Sequence, residues 1–247
     1  MTLTPAAVLG SGLWWPTSVA EVPPPRLPPR LRRRSSLLIN MVAEVAYQAT
    51  QEAGASLSSI PIIVGSAYGE LGTTMDILRD LAGEGVVSPT QFQSSVHNSA
   101  VGYLSIAEGN RQPSTSVAAG DGTLAMVLLE AFAYLAHRGG QVLAIVADEP
   151  TPVELRPSGQ ERPWAGALLL EGGARRGVAI AGRSPLALLQ DLRALPADAP
   201  DLAAARPPGE VVRGLVEAIR AGGPAQVSLG GGVSCAWSVT ICRTEGP

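Results

Sequence analysis

The chain has 247 residues, 46% hydrophobic and only 4% aromatic, with 18 basic and 21 acidic side chains and a net charge of -3. That length and apolar content suit one layered α/β domain over residues 1–247, cored by Ala, Val, Leu and Ile, and the mild acidity argues against a nucleic-acid partner. Every basic residue is arginine; the lack of lysine excludes a lysine Schiff base, hence pyridoxal phosphate chemistry, and the phosphate-gripping lysine of a Walker loop.

The opening "MTLTPAAVLG" has no basic stretch, and Glu44 and Glu130 interrupt the longest apolar runs, so neither a secretory leader nor a membrane span is expected. Residues 3–15 alternate loosely and are expected to form an edge strand. "EVPPPRLPPRLRRRSS" reads as a proline-rich extended connection. Leu37, Leu38, Met41, Val42, Val45, Ala46 and Ala49 recur at helical spacing, with Ser35 or Ser36 to cap the helix and Gly54 to end it. "IPIIVGSA" reads as a short buried strand, "ELGTTMDILRDLAGEG" as an amphipathic helix, and "SPTQFQSSVHNSAVG" as a loop leading into a helix to about Glu108.

"STSVAA" reads as a strand and Thr123–Ala136 as a helix. That helix is apolar almost all round, broken only by Glu130 and Tyr134, so it should be buried, with Asp121 inside the protein or at a subunit boundary. "GGQVLAIVADEP" is a buried strand running out at Asp148, and "WAGALLLEGG" and "RGVAIAG" look like a final strand pair. A Pro- and Ala-rich linker over about 183–208 leads to a helix from about Gly209 to Ala221 and a hairpin turned on Gly230, Gly231 and Gly232. Alternating strands and helices predict a mainly parallel sheet covered on both faces.

His97, His137, Cys235 and Cys242 have no spacing that fits a zinc site, so no metal is expected. The cysteines lie in one predicted strand at an odd separation; they should face opposite ways and stay unbonded, as suits a reducing cytoplasm.

The segment "PSTSVAAGD" resembles, position by position, the strand of the β-ketoacyl synthases that brings a nucleophilic cysteine to the N-terminus of a buried helix, with Asp121 where that cysteine would stand. "SPTQFQSSVHNSAVGYLSIAEGNRQPS" is similar to the synthase segment that runs through the dimer interface, and "VGSAYGE", "QVLAIVADEP" and "WAGALLLEGG" fit the neighbouring strands, so the likeness covers roughly residues 35–172. The resemblance implies a thiolase-like half fold: a layered mixed sheet with a buried helix, plus a C-terminal helix and β-hairpin that must cover the sheet face a second half would otherwise cover. The family's two catalytic histidines belong to that second half, in motifs of the form HGTGT and GHxxGAAG, and neither motif occurs here. "SVHNSAVG…PSTSVAAGD" resembles the small synthase-like subunits of aryl-polyene and type II polyketide systems, regarded as chain-length factors.

Among candidate site residues, Asp121 is a poor nucleophile, because a carboxylate would form a mixed anhydride and gain nothing over the thioester. A capping carboxylate at the helix N-terminus is the expected role, with general-base chemistry as the alternative. His97 beside Asn98 either orients a thioester carbonyl and exchanges protons or simply bonds backbone in its loop. His137 should favour the C-terminal end of its helix. Ser114, Thr115 and Ser116 lack a nucleophile elbow and read as strand residues.

By the resemblance, Phe92, His97, Asn98, Ser116 and Val117 lie along the interface and acyl tunnel, and Phe92 either plugs the partner's tunnel or packs the interface. Arg26, Arg30, Arg32, Arg33 and Arg34 crowd one stretch; either local glutamates pair with them or Arg30, Arg32, Arg33 and Arg34 dock an acidic acyl carrier protein or partner. Asp148 and Glu149 stand where a parallel strand ends, the usual ligand edge of such sheets, although "DEPTP" also reads as a turn. Nothing along "STSVAA" blocks edge pairing, so a dimer with itself or a ketosynthase is expected through residues about 90–120.

The expected function is a cytoplasmic, non-catalytic partner subunit that pairs with a complete ketosynthase and shapes its acyl tunnel. It needs no cofactor of its own; phosphopantetheine enters only as carried by an acyl carrier protein. The alternatives are a free-standing acyl-thioester enzyme using Asp121 or His97, and a homodimeric acyl-binding protein.

Overall fold

The computed structural model describes residues 5–18, 20–83, 85–155, 162–173, 177–183, 207–229 and 238–244. Eight strands form one sheet in the order β3-β2-β4-β5-β1-β6-β8-β7. They are β1 (Ala6–Trp14), β2 (Ile62–Gly65), β3 (Ser114–Val117), β4 (Gln141–Asp148), β5 (Trp164–Gly172), β6 (Gly177–Arg183), β7 (Ala225–Ser228) and β8 (Ser238–Thr244). Strand β2 pairs in parallel with β3 and β4, whereas every other pairing among the described strands is antiparallel. The sheet is therefore mixed rather than mainly parallel: β5 reverses direction beside β4, and the antiparallel β6, β8 and β7 extend the far side.

Helices cover both faces. One face carries α2 (Leu37–Ala53) and α5 (Ser99–Glu108), packed on Ile62, Val64, Leu143, Ile145 and Leu169. The other carries α6 (Thr123–Arg138) and α7 (Pro208–Ala221), packed on Ile63, Ala144, Val146, Leu168 and Leu170. The two residue sets alternate along β2, β4 and β5, as a strand buried on both faces requires. Ser36 accepts from the Ile39 N–H at 3.0 Å and so caps α2, which Gly54 ends in a left-handed conformation. Val211, Val212, Leu215, Val216 and Ile219 form one apolar face of α7 and pack beside α6. The C-terminal helix thus covers sheet that α6 leaves bare. The predicted linker, the glycine turn of the hairpin and Cys235 lie outside the described residues.

Three short stretches differ from expectation. Strand β1 is internal, with β5 and β6 on either side of it; β5 and β6 are therefore not a direct pair. The proline-rich connection contains a short helix, α1 (Pro29–Arg32), because proline is accepted in a first helical turn. The expected loop before His97 contains α4 (Pro89–Ser94), started by Pro89 and by a Ser88 side chain that accepts from Gln91 N–H. The helix α3 (Leu71–Gly83) agrees with the pattern, although Ile77 is its one buried residue.

Strand β1 owes its place to α2. Along β1, strand β6 pairs with Ala6 and Ala7 alone among the described residues. Beyond them, the Glu52 carboxylate accepts from the Ser11 N–H at 2.8 Å, and the Gln48 amide oxygen accepts from the Leu13 N–H at 2.8 Å. Side chains thus satisfy backbone donors that a strand would otherwise satisfy. The helix comes this close because Gly10 and Gly12 lack side chains: a Cβ there would lie 2.1 Å from the Ala49 carbonyl oxygen and 2.2 Å from that of Val45. The proline-rich arm is fastened to the same helix by Arg26, whose Nε lies 2.6 Å from the buried Glu44 carboxylate. Gly12→Ala should push α2 off the sheet and cost roughly 1–3 kcal/mol, read as a lower midpoint in urea unfolding; an unchanged midpoint would show that the contact gives way freely.

Candidate functional site

Strands β2, β3 and β4 end together at one edge of the sheet. At that edge Asp148, the last residue of β4, is buried and accepts from Ser66 Oγ at 2.7 Å and from the Ala67 N–H at 2.8 Å. Burial raises its carboxyl to about 6, against the opposing pull of the hydrogen bonds from Ser66, Ala67 and Tyr68. Ser66 Oγ in turn accepts from the Gly69 N–H at 2.8 Å. Gly69 has φ +66°, and the His97 ring lies on it so closely that a Cβ would stand 2.8 Å from Nδ1. His97 Nε2 is 3.3 Å from the Ser66 carbonyl oxygen; a carbonyl only accepts, so Nε2 carries the proton.

A second acidic group lies alongside. Glu149 accepts from the N–H of Leu38 and of Gly72, each at 3.0 Å, and so joins the starts of α2 and α3. Glu70 is 1% exposed; its Oε2 accepts from Thr73 Oγ1 at 3.4 Å, while its Oε1 has no hydrogen-bond partner among the described residues. Burial pushes the Glu70 carboxyl up to about 7; a hydrogen bond from Ser36 opposes that rise and the charge of Glu149 adds to it. Sequence reasoning marked Asp148 and Glu149 but missed Ser66 and Glu70. The available signal was an acid between a strand end and a helix start, in "GSAYGE".

Asp121 sits in a single 3-10 turn, Gly120–Gly122, and is exposed. It does not cap α6, contrary to expectation. No side-chain hydrogen bond caps α6, which starts from Gly122; the Thr123 hydroxyl accepts from the Ala119 N–H at 3.1 Å and donates to the Gly120 carbonyl at 2.7 Å, closing the turn before the helix. The intervening turn carries Asp121 outward, where no hydrogen bond or ion pair engages it among the described residues, and none joins it to His97. Helix α6 is likewise not enclosed within this chain: Met126 and Leu129 are half-buried, and Glu130 and Ala133 are exposed. Its C-terminal turn holds His137 and Arg138 as the dipole favours. The apolar cavity enclosed by α6, α7 and the sheet holds about 20 Å³, room for one water and none for an acyl chain.

Strand β3 lies at the end of the sheet, with nothing paired on its outer side among the described residues. The carbonyls of Pro113 and Val117 accept from Ile62 and Ser66, both at 3.1 Å, so odd positions face β2 and the N–H and C=O of Ser114 and Ser116 face outward. Val117 packs towards α6; Ser116, on the opposite face, has a hydroxyl shut off from solvent without a hydrogen-bond partner among the described residues. Phe92 is 64%, Tyr68 61% and Val96 47% exposed. Asn98 is exposed and starts α5 without a side-chain cap. Arg30, Arg32, Arg33 and Arg34 are exposed and none has a carboxylate partner among the described residues; only Arg26 of that stretch is ion-paired.

Residues 9–199 match the family model for the β-ketoacyl synthase N-terminal domain. The chain belongs to the β-ketoacyl synthase family. No curated protein sequence matches it. Among solved structures, it is similar to a chain of the ketosynthase ApeO in complex with its chain length factor ApeC from Xenorhabdus doucetiae, with a TM-score of 0.70, 23% identity, and coverage of 95% of this chain and 98% of that one. It is also similar to a chain of the ishigamide ketosynthase/chain length factor, with a TM-score of 0.68, 16% identity, and coverage of 98% and 100%. A third likeness is to a chain of AntDE:AntF, a type II polyketide synthase acyl-carrier protein in complex with its ketosynthase: the TM-score is 0.54, identity 14%, and coverage 68% of this chain and 62% of that one. Near-complete coverage of the first two in both directions means that this ketosynthase-like half fold, C-terminal helix included, occurs at similar length in other chains.

The buried acids set a pH dependence. Glu70 rises from an ordinary 4.5 to about 7 on folding, so the folded chain keeps a proton that the unfolded chain releases above 4.5. Stability contributed by the neutral carboxyl is complete below that value and is lost as pH rises towards 7, by at most about 3 kcal/mol. Glu70→Gln should therefore melt like the parent at pH 4 and increasingly above it up to pH 7. A difference in melting temperature that stays constant across that range would contradict a neutral Glu70.

Proposed function

We propose that this chain is a ketosynthase-like partner subunit of the chain-length-factor kind. It pairs with a complete ketosynthase through β3 and residues about 90–120 and shapes that enzyme's acyl tunnel without performing the condensation itself. The observation that carries the reading is the bare β3 edge, which ends at an exposed carboxylate where the family's nucleophilic cysteine would stand. Acyl transfer from a thioester requires a thiolate or an activated hydroxyl. Asp121 is neither, and the His97 Nε2 proton is directed at the Ser66 carbonyl. In this reading the acyl chain lies between the subunits, with the exposed Phe92 as the side chain that limits its length. Complexes of ketosynthases with chain length factors among the structural neighbours support the same reading.

The acyl chain reaches such a pair on the phosphopantetheine of an acyl carrier protein, and the unpaired Arg30, Arg32, Arg33 and Arg34 suit its acidic surface. Polyketide or fatty-acid-type biosynthesis, of the aryl-polyene or type II kind, in the cytoplasm is the setting this role implies.

Co-expression with the ketosynthase encoded beside it should give a stable complex, burying more than ~2,000 Å² as obligate pairs do. Ser114→Pro removes an N–H that faces the free edge and should abolish the complex while leaving the fold intact by circular dichroism; Val117→Arg should abolish it or prevent folding. The chain alone should turn over neither acyl- nor malonyl-carrier substrates. Turnover that disappears in Asp121→Asn or His97→Ala would replace this reading with that of a free-standing thioester enzyme, and failure to co-purify would remove the partner role.

A further inference from the structure

Helix α3 is held to the rest of the chain by few contacts. Ile77 is its one buried residue. On its outer side Arg79 pairs with Glu154 at 2.6 Å, but both side chains are half exposed and such a pair holds weakly. At its start the Gly72 N–H donates to Glu149 at 3.0 Å. Glycines in the left-handed region stand at either end, Gly69 at φ +66° and Gly85 at φ +69°. Between Gly69 and the helix lies Glu70, shut from solvent, with Oε1 unmatched among the described residues.

We infer that Glu70 is a proton-operated latch: its neutral carboxyl seats α3 against the ends of β4 and α2, and loss of the proton releases α3 while the sheet stays folded. The inference stands apart from the partner-subunit reading. A carboxylate closed off from water with one oxygen unmatched is stable there only when neutral. What faces Glu70 makes a charge costlier. From the end of β4 comes a second acid, Glu149, whose bonds from the N–H groups of Leu38 and Gly72 favour its ionised form. Ser36 at the start of α2 and Thr73 in α3 offer hydroxyls, which bear no charge. Asp76 of α3 acts on Glu149 and adds to the negative field. Asp148 is bonded to Ser66 and Ala67, and His97, lying on Gly69, directs its Nε2 proton at the Ser66 carbonyl. No arginine or histidine offsets a charge on Glu70 among the described residues. The smallest rearrangement that brings water to an ionised Glu70 is to swing α3 outward about its two glycines. That breaks the Gly72 bond to Glu149 and uncovers Ile77, whereas opening β4 or α2 breaks the core of the sheet. Helix α3 packs against α4, so the release reaches the helix that carries Phe92.

Burial lifts the Glu70 carboxyl from 4.5 to about 7 while α3 is seated, so release of α3 frees a proton above pH 4.5. The released fraction is lowest below pH 4.5, climbs about tenfold per pH unit up to 7 and levels off beyond, roughly 300-fold in all. Hydrogen exchange of the whole chain, corrected at each pH for intrinsic exchange rates, should show that climb in the α3 amides. These amides should also exchange faster than those of β4 and ignore urea below the unfolding transition, because a local opening uncovers little surface. In Glu70→Gln the α3 profile should be flat with pH. Thr73→Val keeps the carboxyl but removes a hydroxyl that favours its ionised form, and should carry the plateau above pH 7. A common exchange rate for α3 and β4, or an α3 profile flat in the parent, overturns the latch. So does a slope in Glu70→Gln equal to the parent's, which assigns the proton to another group. If Glu70→Gln does not fold, the Thr73→Val plateau identifies the carboxyl: one that stays at the parent's pH overturns the latch. Each measurement uses the chain alone, so its failure leaves the partner-subunit reading untouched.

Discussion

Strand β4 is buried on both faces, and its C-terminal end carries two acids, Asp148 and Glu149, that organise the sheet edge around it. Asp148 gathers Ser66 and the N–H of Ala67, so the chain leaving β2 turns tightly enough for the His97 ring to rest on Gly69. Glu149 gathers the first turns of α2 and α3. Both carboxylates are held up from their ordinary values by burial, yet both accept from backbone donors, which is the arrangement that lets an acid stand in a closed interior. The positions of α3, α4 and His97, and through them the surface beside β3, depend on these bonds.

That surface is the least self-sufficient part of the molecule. Helix α3 buries only Ile77 and exposes Leu78 and Leu81. Phe92, Tyr68 and Val96 are exposed, and the outer backbone groups of β3 meet no strand among the described residues. On the opposite side the chain closes its own sheet with α7, with β6, β8 and β7, and with the side chains of Gln48 and Glu52 on β1. A half-size member of a family built from two similar halves must solve two covering problems. The C-terminal elements solve one within the chain, and on the β3 side no strand pairs with the sheet among the described residues.

The position of Asp121 follows from the same division. A carboxylate capping α6 would belong to the interior of this chain. Here the Thr123 hydroxyl closes the turn before the helix, and Asp121 is left in solvent.

The sequence by itself determined the elements whose burial repeats with a local period. Helix α2 lies between Ser36 and Gly54 where its apolar spacing begins and ends, β4 is the unbroken run VLAIVA, and the face of α7 is spaced as an amphipathic helix. It also determined the family, through "PSTSVAAGD" and the segments around it. The tertiary structure decided what local spacing does not encode. The loose alternation of residues 3–15 suggested an edge strand, yet the glycines of β1 admit α2 and β1 lies inside the sheet. Glu70 drew no expectation from its local pattern, and only the packing around it shows it buried, with Oε1 unmatched among the described residues. Asp121 occupies the same place in the pattern whether it caps or not; the 3-10 turn Gly120–Gly122, which carries it outward, decided the matter. Each of these outcomes depends on which distant residue arrives as a neighbour, and a one-dimensional pattern of polar and apolar positions carries no record of that.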